Sequence, residues 1–173
     1  FEDVAGQSGL ETRFVDVEAI GIDKEGEFID PEGYRIGALF KLYPWEDMMR
    51  EEFAEKIGAS STVFLEPAWK AILSNKAILP LLWERHVGHR NLVPAFFAGT
   101  PEARALQDQP HVTKPFFSRE GADVTLFDGE SEHAGPEQGY GEDGAIVQAY
   151  APSARAGDNH AVIGIWVVGD DPA

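Results

Sequence analysis

The second half of the chain carries the pattern of β-strands separated by turns. From Asn91 onward, short apolar runs are each bounded by Gly, Pro or Asp, which favour turns. Because successive strands joined by short turns pair antiparallel, we expect a largely antiparallel sheet. The predicted strands cover residues 92–97, 111–117, 123–127, 145–151 and 161–168.

The first half mixes strand and helix patterns. Alternating or continuous apolar residues predict strands over residues 12–17 and 34–40, and a short apolar stretch covers residues 63–65. Residues 44–56 are predicted to form a helix, because Pro44 is tolerated in a first turn and large apolar side chains recur at helical spacing. Gly58 is expected to end that helix.

A second helix is predicted to begin at Ser74, a residue type that caps helix N-termini. Lys76 then falls in the first turn, and Pro80 is expected to bend the helix. A cation in the first turn opposes the helix dipole. An anionic ligand beside Lys76 would remove that conflict.

Composition narrows the class of protein. The chain of 173 residues is 43% hydrophobic, which is enough to bury a core. It contains no Cys, so disulfides, thiolate nucleophiles and Cys-type zinc sites are excluded. No apolar run approaches the roughly 20 residues of a membrane span, and no signal-like segment opens the chain, so we expect a cytoplasmic protein without membrane contacts.

The charge and the remaining candidate groups exclude further chemistry. A formal net charge of -16 argues against a basic surface for nucleic acid. A cationic substrate would suit this charge, and an acidic solubilising surface is the alternative. His86 and His89 lie close together, but no third ligand follows at suitable spacing, so no metal site is predicted within the chain. No Ser has His and acid partners in an order that supports hydrolase chemistry.

The segment after Lys114 is the most informative for function. Lys114 closes one predicted strand, and the loop 118–122, with Arg119 and Gly121, leads into the next. Backbone N–H groups in such a loop, flanked by cations, suit a polyphosphate. One ammonium about 4 Å from a phosphate charge contributes roughly 4 kcal/mol at a surface-like dielectric. Lys76, Lys114 and Arg119 are therefore candidates to hold a nucleotide, and solvated lysines at a strand edge are the alternative.

The strand 145–151 is a candidate adenine contact. It is apolar except for the embedded Gln148, and Pro152 stops it. Such a strand offers backbone N–H and C=O groups to an adenine edge, and a plain core strand is the alternative. The polar segment 128–144 is expected to form a mobile hairpin tip.

Several sequence blocks occur together in one order. The blocks are Phe40-Lys41 followed by Trp45-Glu46, then Glu66-Pro67-x-Trp69-Lys70, Asn75-Lys76-Ala77-Ile78-Leu79-Pro80-x-Leu82-Trp83-Glu84, Lys114-Pro115 with its loop, and Ile146-x-Gln148. With these blocks the chain resembles the synthetase domain of the glutathionylspermidine synthase family, a branch of the ATP-grasp ligases, over nearly its whole length. The loop sequence at 116–121 and Leu42 place it nearer the stand-alone, synthetase-like relatives.

The resemblance implies an α+β fold of the ATP-grasp type, an antiparallel sheet with flanking helices plus a small αβ, pre-ATP-grasp-like lobe. Residues 1–65 would form the small substrate-side lobe. Residues 66–173 would form the nucleotide-binding lobe, incomplete at its C-terminus. The family's Mg²⁺ ligands lie upstream of the matched region, so the chain is expected to be a C-terminal-half fragment without a complete active site.

The resemblance also implies roles for individual residues. Arg119 would be catalytic, within a phosphate-covering loop. Trp45 and Glu46 would line an acceptor pocket, although Trp45 also suits a core face. The residues implied to bind ATP are Lys76, Lys114, Ser118, Arg119, Gly121, Gln148, Ala149 and Tyr150.

The implied reaction joins a peptide carboxylate, such as that of glutathione, to a polyamine. ATP and Mg²⁺ would be required, because a bare carboxylate is a poor electrophile and must first become an acyl phosphate. The implied function is an ATP-dependent carboxylate–amine ligase acting on small molecules. The alternative is a catalytically silent nucleotide-binding or scaffolding protein that keeps the fold.

Overall fold

The computed structural model describes residues 2–157, 159–165, 167–168 and 171–172. The chain forms two compact units, Phe1–Ser74 and Asn75–Ala173. The lobe boundary that the sequence placed after Leu65 stays a prediction.

Short elements make up the first unit. Strands β1 and β2 pair antiparallel, and β3 and β4 pair parallel. The helices are α1 (Glu2–Gln7), α2 (Trp45–Met48), α3 (Ala54–Ile57) and α4 (Ala71–Ser74), with 3-10 turns at Val17–Ala19 and Ala68–Lys70. The strands are β1 (Gly21–Ile22), β2 (Phe28–Ile29), β3 (Ala38–Phe40) and β4 (Val63–Leu65).

Aromatic side chains form the core of the first unit. The Phe28 ring lies 5.4 Å from the Phe64 ring and 5.9 Å from the Phe53 ring, both in edge-to-face arrangements. The Trp45 ring lies 5.5 Å from the Phe64 ring, and Met48 is also buried. Edge-to-face contacts suit the aromatic quadrupole, so this cluster ties α2 to β2 and β4.

Two predictions for the first unit are wrong. Residues 12–17 form no strand, because their alternating apolar side chains have no sheet to pack against and Phe14 is 80% exposed. The predicted helix 44–56 is instead two short helices, α2 and α3, separated by turns. Helices this short are marginal alone, so core packing decides the backbone. The helix end at Gly58 is confirmed, and the apolar stretch 63–65 forms strand β4.

The second unit is organised around a five-stranded sheet. Its strand order is β5-β9-β6-β7-β8, and every neighbouring pair is antiparallel, as predicted. The helices are α5 (Ile78–Arg85) and α6 (Pro101–Leu106). The strands are β5 (Ala95–Phe97), β6 (His111–Pro115), β7 (Thr125–Phe127), β8 (Glu132–Ala134), β9 (Ala145–Ala149), β10 (Arg155–Ala156), β11 (Asn159–His160), β12 (Val167–Val168) and β13 (Asp171–Pro172).

Helix α6 covers one face of this sheet. Its buried Ala103 and Leu106 pack with Val147, and Phe96 and Ala149 lie against the same cluster. Lys114 pairs with Ile146 and Val112 pairs with Gln148 in the register of β6 and β9. Because paired residues share a face and successive residues alternate, Lys114 and Gln148 lie on the face opposite Val147.

The start of the Lys76 region differs from the prediction. Ser74 ends α4, and α5 begins only at Ile78. Asn75, not Ser74, supplies the turn, since its Oδ1 accepts the N–H of Ala77 at 2.8 Å. Lys76 therefore lies in the turn before α5. Pro80 falls in the first turn of α5, where its missing N–H breaks no helix bond.

The polar segment 128–144 contains a strand that the sequence missed. Residues of β8 pair with β7, and all three are exposed. An edge strand with both faces in water needs no apolar side chains, so composition alone did not indicate it. In the predicted strand 161–168, residues 161–165 are irregular, residues 167–168 form β12, and residue 166 lies outside the described residues.

No helix in the described part of the chain is long and apolar enough to cross a membrane.

Candidate functional site

Lys114 sits at the end of β6 with its ammonium held by the neighbouring strand. Its Nζ donates to Oε1 of Gln148 in β9 at 2.7 Å, and both side chains are partly buried. Burial lowers the pKa of the Lys114 ammonium from its ordinary value of 10.5, because removing water penalises the charged form. An anion placed beside this ammonium would offset that cost.

Lys76 is bound to the segment that follows Lys114. Its backbone N–H donates to the carbonyl oxygen of Phe116 at 2.9 Å. Its Nζ donates to the carbonyl oxygen and to Oγ of Ser118, both at 3.0 Å. The second unit thus brings both predicted phosphate lysines to one segment, which runs from Lys114 to Ser118.

The loop 118–122 is a tight turn anchored at its far end. The N–H of Ala122 donates to the Arg119 carbonyl at 2.9 Å, and Ala122 is fully buried. Glu120 and Gly121 adopt left-handed backbone conformations with φ of 52° and 77°. Arg119, Glu120 and Gly121 are exposed between the fixed ends. The turn therefore places an exposed cationic residue, Arg119, next to an exposed acidic residue, Glu120.

Asp123, which sequence reasoning missed, joins this loop to the segment 135–140. Its carboxylate accepts the N–H of Tyr140 at 2.8 Å and the N–H of Gln138 at 3.2 Å. Its own N–H donates to the Pro136 carbonyl at 2.9 Å. Gly135 lies so close that a Cβ there would overlap with the Gly121 carbonyl oxygen. The partners are far apart in sequence, and no local pattern indicates the contact.

The predicted adenine strand lies inside the sheet. The N–H of Ala149 donates to the Pro94 carbonyl at 2.8 Å, and the N–H of Tyr150 donates to the Pro110 carbonyl at 3.0 Å. Both N–H groups are therefore engaged. An adenine contact with Ala149 or Tyr150 would therefore use groups other than these two N–H donors.

The predicted acceptor residues lie in the first unit. Trp45 is 2% exposed and belongs to the aromatic core, with the Lys41 Nζ 4.4 Å from its ring centre. This burial favours the core interpretation of Trp45. Glu46, in the first turn of α2, is half-buried. A substrate role for either residue stays a prediction.

Comparison with known proteins decides the family. The profile described as "Glutathionylspermidine synthase preATP-grasp" matches residues 1–173. The chain belongs to this family. The resemblance inferred from the Lys76 and Lys114 blocks is thereby confirmed.

Relatives of this family member carry ligase names. A Haemophilus influenzae protein, provisionally described as an acid–amine ligase, is 39% identical over 97% of the chain. A trypanothione synthetase from Crithidia fasciculata is 30% identical over 94% of the chain. The bifunctional glutathionylspermidine synthetase/amidase of Escherichia coli K12 is 30% identical over 76% of the chain. The chain spans 44%, 28% and 25% of the lengths of these three proteins.

The donor set of the second unit in this family member fits a polyphosphate. A phosphate chain offers only acceptors, and the site contains the ammoniums of Lys76 and Lys114 together with the exposed residue Arg119. The same residues are cationic and therefore do not suit Mg²⁺, which prefers carboxylate and carbonyl oxygens. Among the described residues, no group of three or more His, Asp or Glu side chains is arranged to hold a metal ion.

Proposed function

We propose that the full-length protein is an ATP-dependent carboxylate–amine ligase. The observation that carries the proposal is that Lys76 is hydrogen-bonded to the end of the segment that begins with Lys114. The exposed residue Arg119 follows that segment directly. ATP would supply the phosphoryl group that turns an unreactive carboxylate into an acyl phosphate. ADP would leave in that step, and an amine would then displace phosphate and lose a proton as the amide forms.

The chain's own residues would contribute charge and position. Lys114 is partly desolvated, so its ammonium interacts more strongly with a phosphate than an exposed lysine does. Lys76 would add a second ammonium from the turn before α5. Arg119, on the exposed loop, would neutralise charge that develops on the transferred group. Gly121 gives that loop its left-handed turn.

The proposed substrates are a peptide carboxylate and a polyamine. The names of two relatives, a glutathionylspermidine synthetase/amidase and a trypanothione synthetase, support this substrate class. The formal net charge of -16 also favours the approach of a polycation. We further propose that Mg²⁺ is held by residues from the rest of the full-length protein.

Substrate-dependent ADP release tests the proposal. Lys76→Met or Lys114→Met in the full-length protein should lower turnover by about 100-fold or more, the loss expected for one preorganised donor to a developing charge. Lys24→Met is the matched control, because Lys24 is an exposed turn residue of the first unit. Thermal melting of each variant checks folding.

Two outcomes would count against ligation. Turnover that is unchanged in both Met variants would remove the lysines from the site. Nucleotide binding without ADP release, across peptide thiols and polyamines, would favour a silent nucleotide-binding protein. Glutathione labelled with ¹⁸O in its glycine carboxylate gives a direct check on the pathway, since an acyl phosphate transfers one labelled oxygen to the released phosphate.

A further inference from the structure

Ser118 holds the ammonium of Lys76 at two points. Both the carbonyl oxygen and Oγ of Ser118 accept hydrogen bonds from Nζ, each at 3.0 Å. Hydrogen bonds from an ammonium are charge-assisted and stronger than neutral ones. A lysine side chain is long and flexible, so two bonds to one residue fix where its charge lies.

Ser118 itself stands where a fixed strand end meets the exposed loop. The N–H of Phe116 donates to the Gly144 carbonyl at 2.9 Å, and the Phe116 carbonyl accepts the backbone N–H of Lys76. A side chain at Gly144 would meet the Phe116 ring at 2.8 Å, so glycine is needed there. The backbone of Lys76 is thus anchored to residue 116 and its side chain to residue 118. Arg119 follows at once and is exposed.

We propose that Ser118 is a positioning residue that presets the Lys76 ammonium for the phosphates of the nucleotide. The hydroxyl acts through the lysine rather than on the nucleotide itself. This inference rests on the proposed function, because it assumes that Lys76 meets a phosphate. Any residue at position 118 would offer the backbone carbonyl to the Lys76 ammonium. The second hydrogen bond, which fixes the ammonium further, requires the hydroxyl.

ATP binding by the full-length protein, measured by calorimetry, tests the proposal. Ser118→Ala should weaken ATP binding about tenfold, as expected for one hydrogen bond to a charged group. Ser118→Thr keeps the hydroxyl and should restore most of the affinity. In a Lys76→Met background, Ser118→Ala should have no further effect, because the two residues act as one unit. Ser131→Ala, in the exposed turn between β7 and β8, is the matched control.

A second measurement requires no nucleotide. In the wild-type protein the protons of the Lys76 ammonium, detected through its ¹⁵N signal, should exchange slowly with water. Ser118→Ala should make that proton exchange fast. This readout reports the position of the lysine directly. It also remains available if Ser118→Ala changes the melting temperature.

Each outcome bears on the proposal. Equal ATP affinity in Ser118→Ala and wild type would overturn it, as would an equal loss in the Lys76→Met background. Fast ammonium exchange already in the wild type would overturn the positioning role and leave the proposed function intact. Absence of ATP binding by the wild type would overturn both, so the two failures are distinguishable.

Discussion

At the scale of single residues, Lys114 places a charge where burial disfavours it. Burial lowers the pKa of its ammonium from 10.5, and its Nζ is held by the neutral amide of Gln148. Below the lowered pKa, the charge therefore lowers the free energy of unfolding. That cost disappears as pH rises through the folded pKa toward the unfolded value, so the free energy of unfolding increases with pH over this window.

The lowered pKa of Lys114 predicts a pH-dependent affinity for ATP. A phosphate beside the ammonium favours the charged form, so ATP binding should be accompanied by proton uptake. ATP affinity should consequently fall as pH rises from neutral toward 10.5. Calorimetry in buffers of different ionisation enthalpy measures the proton uptake. Lys114→Met should lose this component, and the same pH slope in that variant would contradict the assignment.

At the scale of elements, Asp123 joins the loop 118–122 to the segment 135–140. One carboxylate accepts the N–H groups of Gln138 and Tyr140, and Asp123 adopts a left-handed conformation with φ of 53°. Asp and Asn tolerate this conformation better than most other residues. We infer that the two segments open together, since opening one breaks the bonds that hold the other.

Removing the Asp123 carboxylate should loosen the segment 135–140. Each lost hydrogen bond costs roughly 0.5–1.5 kcal/mol, so amide exchange at Gln138 and Tyr140 should speed up about tenfold in Asp123→Ala. Asp123→Asn keeps one acceptor oxygen and should have a smaller effect. Asp108→Ala, at an exposed position after α6, is the control. Unchanged protection in Asp123→Ala, measured by hydrogen exchange, would show that the carboxylate does not hold the segment.

Local sequence determines some elements of this fold and not others. Strands β5, β6, β7 and β9 of the five-stranded sheet were predictable, because each lies in a short apolar run bounded by Gly, Pro or Asp. The exposed strand β8 was missed. The strand at 12–17 was wrongly predicted. Alternating apolar and polar residues show that a segment could form a strand, but not that a neighbouring strand exists to pair with it. The bonds from Lys76 to Ser118 span 42 residues and arise only when α5 and the end of β6 come together.

At the scale of the whole molecule, a strongly acidic chain carries three cationic side chains at or beside one segment of the second unit. The net charge is -16, yet three cations meet at the segment 114–118. Lys114 begins this segment, Lys76 is hydrogen-bonded to Ser118 at its end, and Arg119 follows it. The proposed function assigns these cations to the phosphates of ATP. The first unit supplies a separate aromatic core around Phe28 and Trp45.

The affinity of the full-length protein for ATP compared with adenosine tests the central claim most directly. If Lys76 and Lys114 hold the phosphates, Lys114→Met and Lys76→Met should each weaken ATP binding by about tenfold or more, the loss of a charge-assisted contact. Adenosine, which has no phosphates, should bind wild type and both variants alike. Equal ATP affinity in wild type and both Met variants would contradict the account.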